Sequence, residues 1–250
     1  MLLAVDIGNT NIKLGIFDGL RLIEKFSTPT VKTSNAIELN EMVQGRMPLS
    51  LSSAIIGSVV PELNAAFTEF LRARHGIAPH FMSNEIDLGL NIKYEPIADA
   101  GADRLINSFA AAEKYGTPCI VCSFGTAFTI DYIDSEHTLV GGLIAPGMGT
   151  LSTALRLAAS RLPEVEVFPT DSLLQTTTTD SLRSGIFHGY GAMAEGLISA
   201  VKRELGNDPK VVATGGLAQT IAARSQNIDI VDPDLTIEGL ARIYYRHYAE

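Results

Sequence analysis

The pattern that most constrains the fold is a strand, a tight turn and a second strand, which occur twice in the chain. The stretch VDIGNT, residues 5–10, aligns with CSFGTA, residues 122–127, so that Gly8 falls on Gly125. In both places a third predicted strand follows. Because several elements repeat together, the pattern favours duplication of an α/β unit over the chance recurrence of a common motif.

The length of the chain allows this duplication to form two compact lobes. A chain of 250 residues can bury two sizeable cores. We therefore predict an N-terminal lobe over residues 1–117 and a C-terminal lobe over residues 118–250. Each lobe would be a mixed sheet with flanking helices, with a ligand cleft between the two. A hydrophobic content of 46% excludes a disordered chain.

The charge of the chain excludes several classes of partner. A net charge of −9 argues against non-specific nucleic-acid binding and against an anionic membrane surface. The first residues lack the pattern of a signal peptide, and no apolar run is long enough to span a bilayer. We expect a cytoplasmic protein with no nucleic-acid partner and no membrane partner.

Two local patterns resemble functional motifs, but each has a better structural interpretation. Cys119 and Cys122 have C-x-x-C spacing inside an apolar, strand-like run, which predicts buried, unpaired thiols rather than a redox pair. The stretch GYGAMA, residues 189–194, loosely fits a dinucleotide fingerprint, but no strand precedes it. Gly185, Gly189 and Gly196 instead fall near one face of a long helix, which predicts close packing of that helix against a neighbour.

The first turn, in DIGNTNIK, has the chemistry of a phosphate site. Gly8 allows close backbone approach or a positive φ. Asn9, Thr10 and Asn11 provide short polar groups that suit phosphate oxygens. Asp6, at the carboxyl end of an apolar strand, could hold Mg²⁺ directly or through water. The structural alternative is an Asx-type turn that closes a hairpin.

Two further stretches could contribute to the same chemistry. In GADR, Asp103 stands at the start of a predicted helix, where it could cap the helix or hold the proton of a phosphoryl acceptor. Arg104 could bind a carboxylate or a phosphate through its guanidinium fork. In ATGG, Gly215 and Gly216 follow a predicted strand at a helix start, a platform for phosphate or adenosine.

The order of these motifs carries a resemblance to a known family. D-x-G-N-T at the start is typical of the phosphate turn of the actin-like superfamily. Together with GADR, FGTA, GGLIAPG and ATGG, it resembles the type III pantothenate kinases over nearly the whole chain. The resemblance implies an actin-like (ribonuclease H-like) fold, a homodimer with its active site near the interface, and transfer of phosphate from ATP to pantothenate, the first step of coenzyme A biosynthesis. It also implies Mg²⁺ and a monovalent cation, K⁺ or NH₄⁺.

The resemblance also implies roles for individual residues. Asp6 would hold magnesium and Asp103 would be the general base. Thr178 would reach the substrate from the partner subunit, although a polar loop before a helix cap is the alternative there. The ATP and phosphate site would comprise Asp6, Gly8, Asn9, Thr10, Asn11, Lys13, Gly125, Thr126, Gly215 and Gly216. The pantothenate pocket would comprise Tyr94, Gly101, Ala102, Asp103, Arg104 and Thr178.

The second turn departs from the family pattern at two positions. Ser123 stands where the family has an aspartate associated with the monovalent cation, and Phe128 stands where it has a threonine. The Ser123 hydroxyl could still coordinate a cation, but without a negative charge. This departure raises the alternative of a catalytically impaired paralogue that binds nucleotide as a regulatory or accessory protein. Another small-molecule kinase on the same fold is a second alternative.

Overall fold

The chain folds into two compact units. The computed structural model describes residues 1–43, 45–48 and 50–249. Residues 1–114 together with 234–250 form the first unit, and residues 115–233 form the second.

The first unit is built on a mixed sheet. Its strands follow the order β3-β2-β1-β4-β5. Strands β1, β2 and β3 pair antiparallel, and β4 and β5 continue the sheet parallel to β1. Its elements before the second unit are β1 (Leu2–Ile7), β2 (Asn11–Asp18), β3 (Arg21–Pro29), α1 (Ala36–Val43), β4 (Ser53–Ser58), α2 (Asn64–His75), β5 (His80–Phe81), β6 (Asn91–Ile92) and α3 (Ala102–Tyr115).

The second unit repeats this plan. Its elements are β7 (Cys119–Phe124), β8 (Ala127–Ile133), β9 (Thr138–Pro146), α4 (Met148–Ala158), α5 (Thr178–Leu205), β10 (Lys210–Thr214), α6 (Ala218–Ala222) and β11 (Ile230–Val231). Its strands follow the order β9-β8-β7-β10-β11. Again the first three strands are antiparallel and the last two continue parallel to the first. The same order and the same directions confirm the predicted repeat of the α/β unit.

The C-terminal helix lies in a different unit from the one predicted. We expected residues 234–250 in the C-terminal lobe, but α7 (Leu235–His247) belongs to the first unit. It packs on β1, β2 and β4, and its apolar residues Ile237, Leu240 and Ile243 are buried. An amphipathic pattern shows that a helix needs an apolar partner surface, but it does not identify which surface.

The central strands β1 and β7 are buried on both faces, as expected for strands in the middle of a covered sheet. Every residue of β1 is buried except Asp6, and every residue of β7 is buried except Ser123. Cys119 and Cys122 are therefore buried, and both are free thiols, which confirms the prediction. Burial raises the pKa of Cys119 to about 12 and raises that of Cys122 above its ordinary value, so neither forms the reactive thiolate readily.

The long helix α5 differs from the prediction in its packing. We expected its glycines to lie close to a neighbouring helix. Gly185, Gly189 and Gly196 are instead exposed, and a Cβ at any of them would meet no atom within 4 Å among the described residues. Although α5 has 28 residues, no helix in the described part of the chain combines the length and apolarity needed to cross a bilayer.

Close packing of α3 against α7 gives a stability prediction. A Cβ at Gly239 would lie 2.8 Å from Ile106 Cγ2 and 2.9 Å from Ala110 Cβ. We expect Gly239→Ala to lower the free energy of unfolding by about 1–3 kcal/mol, because this overlap outweighs the better helix propensity of alanine. Urea unfolding measures the change. Gly191→Ala in α5, with open space around it, is the matched control and should raise stability by about 0.5–1 kcal/mol. Equal effects of the two substitutions would contradict the assigned packing.

Candidate active site

The first turn connects β1 and β2 through four residues, since Ile7 pairs with Ile12. The Gly8 N–H donates to the carbonyl oxygen of Asn11 at 3.1 Å, and Thr30 Oγ1 donates to the carbonyl oxygen of Gly8 at 2.7 Å. A Cβ at Gly8 would lie 3.0 Å from that Asn11 oxygen, so close backbone approach is the reason for the glycine. The side chains of residues 9–11 are exposed and can reach a ligand.

Thr30 is a site residue that the sequence analysis missed. Its backbone N–H also donates to the carbonyl oxygen of Thr10 at 2.9 Å, so it holds the turn at two points. It follows β3, twenty residues after the turn, and no local pattern links the two segments. Only the strand pairing brings them together.

Asp6 and Lys13 form a cross-strand ion pair beside this turn. They are direct partners in β1 and β2, and Lys13 Nζ lies 3.7 Å from Asp6 Oδ2. The pKa of Asp6 is raised to about 6, first because burial disfavours the charged form. Lys13 lowers this pKa, whereas the negative charge of Asp103 raises it. Asp6 and Asp103 therefore repel each other.

These two carboxylates fit a magnesium ion of the kind found in kinases. Among the described residues there is no cluster of three or more His, Cys, Asp or Glu side chains that could hold a metal. Mg²⁺ does not need such a cluster, because it is usually bound through one or two carboxylates together with water and substrate phosphates. Asp6, a largely desolvated carboxylate beside the exposed polar side chains of the turn, is the residue best suited to this role.

The GADR segment places Asp103 and Arg104 in the first turn of α3. Asp103 Oδ1 accepts a hydrogen bond from the backbone N–H of Arg104 at 2.9 Å. The carboxylate thus satisfies one N–H of the first helical turn, although Asp103 lies inside α3 rather than at its cap. A Cβ at Gly101 would lie 2.7 Å from Asp103 Oδ1, so the glycine leaves room for this carboxylate. The side chain of Ala102 is buried in the protein interior.

Arg104 and Tyr94, two residues of the predicted pantothenate pocket, contact each other. Arg104 Nη1 donates to the Tyr94 hydroxyl at 2.9 Å, and the guanidinium carbon lies 4.9 Å from the tyrosine ring centroid. Arg104 is only 6% exposed, so its charge is held in a fixed, largely desolvated position. Such an arginine binds an anionic group strongly because little water competes with it.

The second turn is one residue shorter than the first, since Phe124 pairs with Phe128. The Gly125 N–H donates to the carbonyl oxygen of Ala127 at 3.0 Å. Gly215 has a φ of +96°, and a Cβ there would lie 2.5 Å from the Phe124 carbonyl oxygen. The turn after β10 therefore touches the turn after β7 through backbone alone.

The start of α4 also contacts this turn. The Gly147 N–H donates to the Thr126 carbonyl oxygen at 3.0 Å, and Thr150 Oγ1 donates to the same oxygen at 2.6 Å. A Cβ at Gly147 would lie 2.2 Å from the Gly125 carbonyl oxygen. Gly216, in contrast, has open space around it among the described residues. Gly147 and Gly215 thus allow other backbone segments to approach the second turn closely.

The two departures from the family pattern have different structural consequences. Ser123 is half-buried at the end of β7 and takes the place that Asp6 has in β1. Phe128 is fully buried in the core, where its ring stacks on Phe124 at 4.7 Å and meets Tyr190 edge-on at 6.0 Å. The substitution at 128 therefore changes core packing, whereas the substitution at 123 changes the chemistry of the strand end.

Thr178 is the first residue of α5 and is exposed. The helix begins at Thr178 because Thr177 Oγ1 accepts the Asp180 N–H at 3.1 Å and caps the helix. The proposed contact of Thr178 with substrate in a partner subunit stays a prediction.

The desolvated Asp6 gives a pH-dependent prediction. Its pKa is higher in the folded chain, about 6, than its ordinary value of 3.8. The folded state therefore binds this proton more tightly than the unfolded state does. Above pH 6 the ionised carboxylate destabilises the folded state, and this destabilisation disappears as the pH falls towards 4. Asp6→Asn should raise the free energy of unfolding at pH 7.5 by up to about 3 kcal/mol. The gain should vanish near pH 4.

Urea unfolding of both proteins between pH 4 and 7.5 measures this difference. Asp18→Asn is the control, because Asp18 is an exposed carboxylate at the other end of the β1–β2 hairpin. It should show no comparable gain at pH 7.5. A loss of stability in Asp6→Asn at pH 7.5 would contradict the electrostatic description of this site.

Comparisons with known proteins agree on the fold and on the family. The chain resembles the solved structure of a Sinorhizobium meliloti protein assigned as a 2-dehydro-3-deoxygalactonokinase, with a TM-score of 0.62, 16% identity and coverage of 100% of this chain and 98% of that one. A conserved Baf family protein from Campylobacter jejuni matches with a TM-score of 0.58, 22% identity and 98% coverage of both chains. At these identities the likeness shows the fold, and it confirms the predicted actin-like class.

Sequence comparisons reach further than the fold. A curated type III pantothenate kinase from Citrifermentans bemidjiense is 38% identical over 253 aligned residues, which cover 99% of this chain and 100% of that protein. The family model for type III pantothenate kinase matches residues 2–200. This chain belongs to the type III pantothenate kinase family.

Proposed function

We propose that this protein transfers a phosphoryl group from ATP to pantothenate, forming 4'-phosphopantothenate in the first step of coenzyme A biosynthesis. The observation that carries the proposal is the arrangement of charges in the first unit. Asp6 lies beside a phosphate-type turn and feels the negative charge of Asp103, which adjoins the buried cation of Arg104 at the start of α3. Family membership supports the identity of the two substrates. We place this reaction in the cytoplasm, as the sequence predicts.

Asp103 is the general base in this proposal. Its Oδ1 accepts the Arg104 N–H, which fixes the carboxylate, so we assign Oδ2 to the acceptor hydroxyl of pantothenate. The carboxylate takes the hydroxyl proton as the oxygen attacks the terminal phosphate of ATP. Orientation by a fixed carboxylate also keeps the attacking oxygen in line with the leaving group.

Arg104 and Tyr94 bind and orient pantothenate. Pantothenate carries a carboxylate at one end and a primary hydroxyl at the other. The planar guanidinium of Arg104, held at 2.9 Å by the Tyr94 hydroxyl, suits the carboxylate. Gly101 keeps the space around Asp103 open for the hydroxyl end. Thr178 of a second copy of the chain would complete this pocket.

Asp6 holds magnesium in the proposal, and Lys13 with residues 9–11 binds phosphate oxygens. The ion supplies positive charge that offsets the charge of the transferred phosphate. Its presence would also offset the desolvation of Asp6 and the repulsion by Asp103, which both raise the pKa of Asp6 in the free protein. Gly125 and Thr126 form a second phosphate turn, and Gly215 and Gly216 form the platform for the nucleotide.

A homodimer through α5 is part of the same proposal. Small residues recur on one exposed face of this helix at positions 185, 189, 192 and 196. Spacings of four, three and four residues place them on a single stripe, where another backbone can approach closely. Thr178 stands at the N-terminal end of the same helix, so this interface would bring it towards a partner.

The general-base role gives the central functional prediction. Asp103→Asn should lower kcat about 10²- to 10⁴-fold, because the amide cannot accept the hydroxyl proton. Binding of a non-hydrolysable ATP analogue and the melting temperature should change little. A coupled ADP-release assay with ATP, Mg²⁺ and pantothenate measures the rate. The matched control is Asp99→Asn, which alters an exposed carboxylate four residues away and should retain full activity. Full activity of Asp103→Asn would refute the assignment.

The same assay separates the alternatives. An inert natural protein that gains strong activity on Ser123→Asp would support the impaired, nucleotide-binding paralogue. Activity with a different small alcohol, and none with pantothenate, would support another kinase of the same fold. Both results would contradict the proposed reaction.

The proposed interface gives a prediction about assembly. By size-exclusion chromatography with light scattering, the natural chain should have twice the mass of one 26.8 kDa chain. Gly189→Leu should give a folded monomer, because a large side chain prevents close backbone approach at the stripe. Ala65→Leu, on the exposed face of α2, adds the same bulk elsewhere and should leave the dimer intact. A Gly189→Leu dimer would place the interface elsewhere.

A further inference from the structure

Three hydroxyl side chains form a row across neighbouring strands of the second sheet. Ser123 in β7 is the direct partner of Thr129 in β8 and of Thr214 in β10. Residues directly opposite each other on neighbouring strands point to the same face of a sheet. The row therefore lies on one face, at the carboxyl ends of β7 and β10, beside the second turn. Two of its members, Thr129 and Thr214, were not among the predicted site residues.

One hydroxyl of the row has no hydrogen-bond partner in the described part of the chain. Thr214 is 1% exposed, and its Oγ1 is buried without a partner among the described residues. Buried hydroxyls are nearly always hydrogen-bonded, because an unsatisfied one has lost its water without compensation. Thr129 is also buried, whereas Ser123 is half-buried, so the row opens at Ser123. This arrangement indicates a ligand atom that completes the row.

The first unit provides an internal comparison for this row. The five sheet strands of the first unit and the five strands of the second unit follow the same order. In the first unit the positions equivalent to Thr214, Ser123 and Thr129 are occupied by Gly57, Asp6 and Lys13. The first unit thus carries a carboxylate and an ammonium group where the second carries only neutral hydroxyls. The two units share this backbone arrangement, but they differ in the charge of the side chains at this strand end.

The donor set of the row does not fit the monovalent cation that the family resemblance implies. The carboxylate that would compensate the cation is replaced by Ser123. Asp131 lies on the same face of β8, but it is opposite Val121, two pairs farther from the turn. It is 2% exposed and is already engaged in other interactions. Hydroxyl groups can donate hydrogen bonds, and an anionic phosphate oxygen accepts several of them.

We infer that the hydroxyl row of Thr214, Ser123 and Thr129 binds a phosphate oxygen of the nucleotide directly, and that nucleotide binding to this chain does not require a monovalent cation. The inference rests on the proposed function in that ATP is the ligand. The backbone contact of Gly215 with Phe124 keeps the ends of β10 and β7 together, which holds the hydroxyls of the row at a constant spacing.

Equilibrium binding of AMP-PNP, a non-hydrolysable ATP analogue, tests the inference without pantothenate. Titrations contain Mg²⁺ and equal ionic strength of K⁺, NH₄⁺, Na⁺ or tetramethylammonium chloride. We expect the Kd of the natural protein to agree within about twofold in all four salts. Ser123→Asp should bind at least about tenfold more weakly in tetramethylammonium than in K⁺, because the new carboxylate repels phosphate unless a cation compensates it.

The outcomes separate the inference from the proposed function. Binding of AMP-PNP by the natural protein only in K⁺ or NH₄⁺ would overturn the inference and leave the proposed kinase activity intact. Absence of binding in every salt would overturn the proposed use of ATP, and the inference with it.

A second pair of variants tests the role of Thr214. Thr214→Val keeps the shape of the side chain but removes the unpartnered hydroxyl. We expect its melting temperature to rise and its Kd for AMP-PNP to weaken about fivefold to tenfold. Thr214→Ser should retain the affinity of the natural protein. A purely structural role would not weaken binding while the fold becomes more stable.

Ser108→Ala is the matched control for this pair. Ser108, in α3, is fully buried, and its Oγ also lacks a hydrogen-bond partner among the described residues. Its removal should raise the melting temperature and leave the Kd unchanged. An unchanged Kd in Thr214→Val would overturn the assignment of the row as a phosphate site.

Discussion

Burial of β1 and β7 on both faces is the constraint on which the rest of the structure depends. Each of these strands is the central strand of its sheet, so its side chains must be apolar wherever the sheet is covered. A single position in each strand escapes complete burial, at Asp6 and at Ser123. The fold thereby leaves one place per unit, next to a glycine turn, where a polar side chain can meet a ligand. The residue that stands there sets the charge that the strand end presents.

Asp6 and Ser123 have different effects at these two strand ends. Asp6 keeps a charge at the strand end. This charge lowers the stability of the fold, because desolvation and the negative charge of Asp103 both disfavour the ionised carboxylate. Such a cost is typical of a functional site, where a ligand ion restores the balance. Ser123 is neutral and has no such cost, but beside it the Thr214 hydroxyl finds no hydrogen-bond partner among the residues that the structure describes. Both strand ends are thus incomplete without a ligand, one in charge and one in hydrogen bonding.

Much of the fold could be predicted because the relevant signals are local or repeated. Apolar runs bounded by glycine turns predicted β1, β2, β7 and β8, and the repeat predicted the shared topology. The docking of α7 on the first unit could not be predicted, since an amphipathic helix of this kind fits any apolar sheet face. The exposed glycines of α5 were also misjudged, because small residues are equally suited to packing within a chain and between chains.

For the candidate site, too, some features could be predicted from the sequence and others could not. The sequence by itself determined the chemical groups: Asp6 at a strand end, Asp103 and Arg104 at a helix start, and a neutral Ser123 in place of an acid. Their recognition needed only neighbours along the chain and the resemblance to a family. Tertiary structure alone decided that Thr30 holds the first turn, that Phe128 belongs to the core, and that Thr129 and Thr214 lie beside Ser123. These relations depend on strand register, which aligns residues far apart in sequence and cannot be deduced from either strand alone.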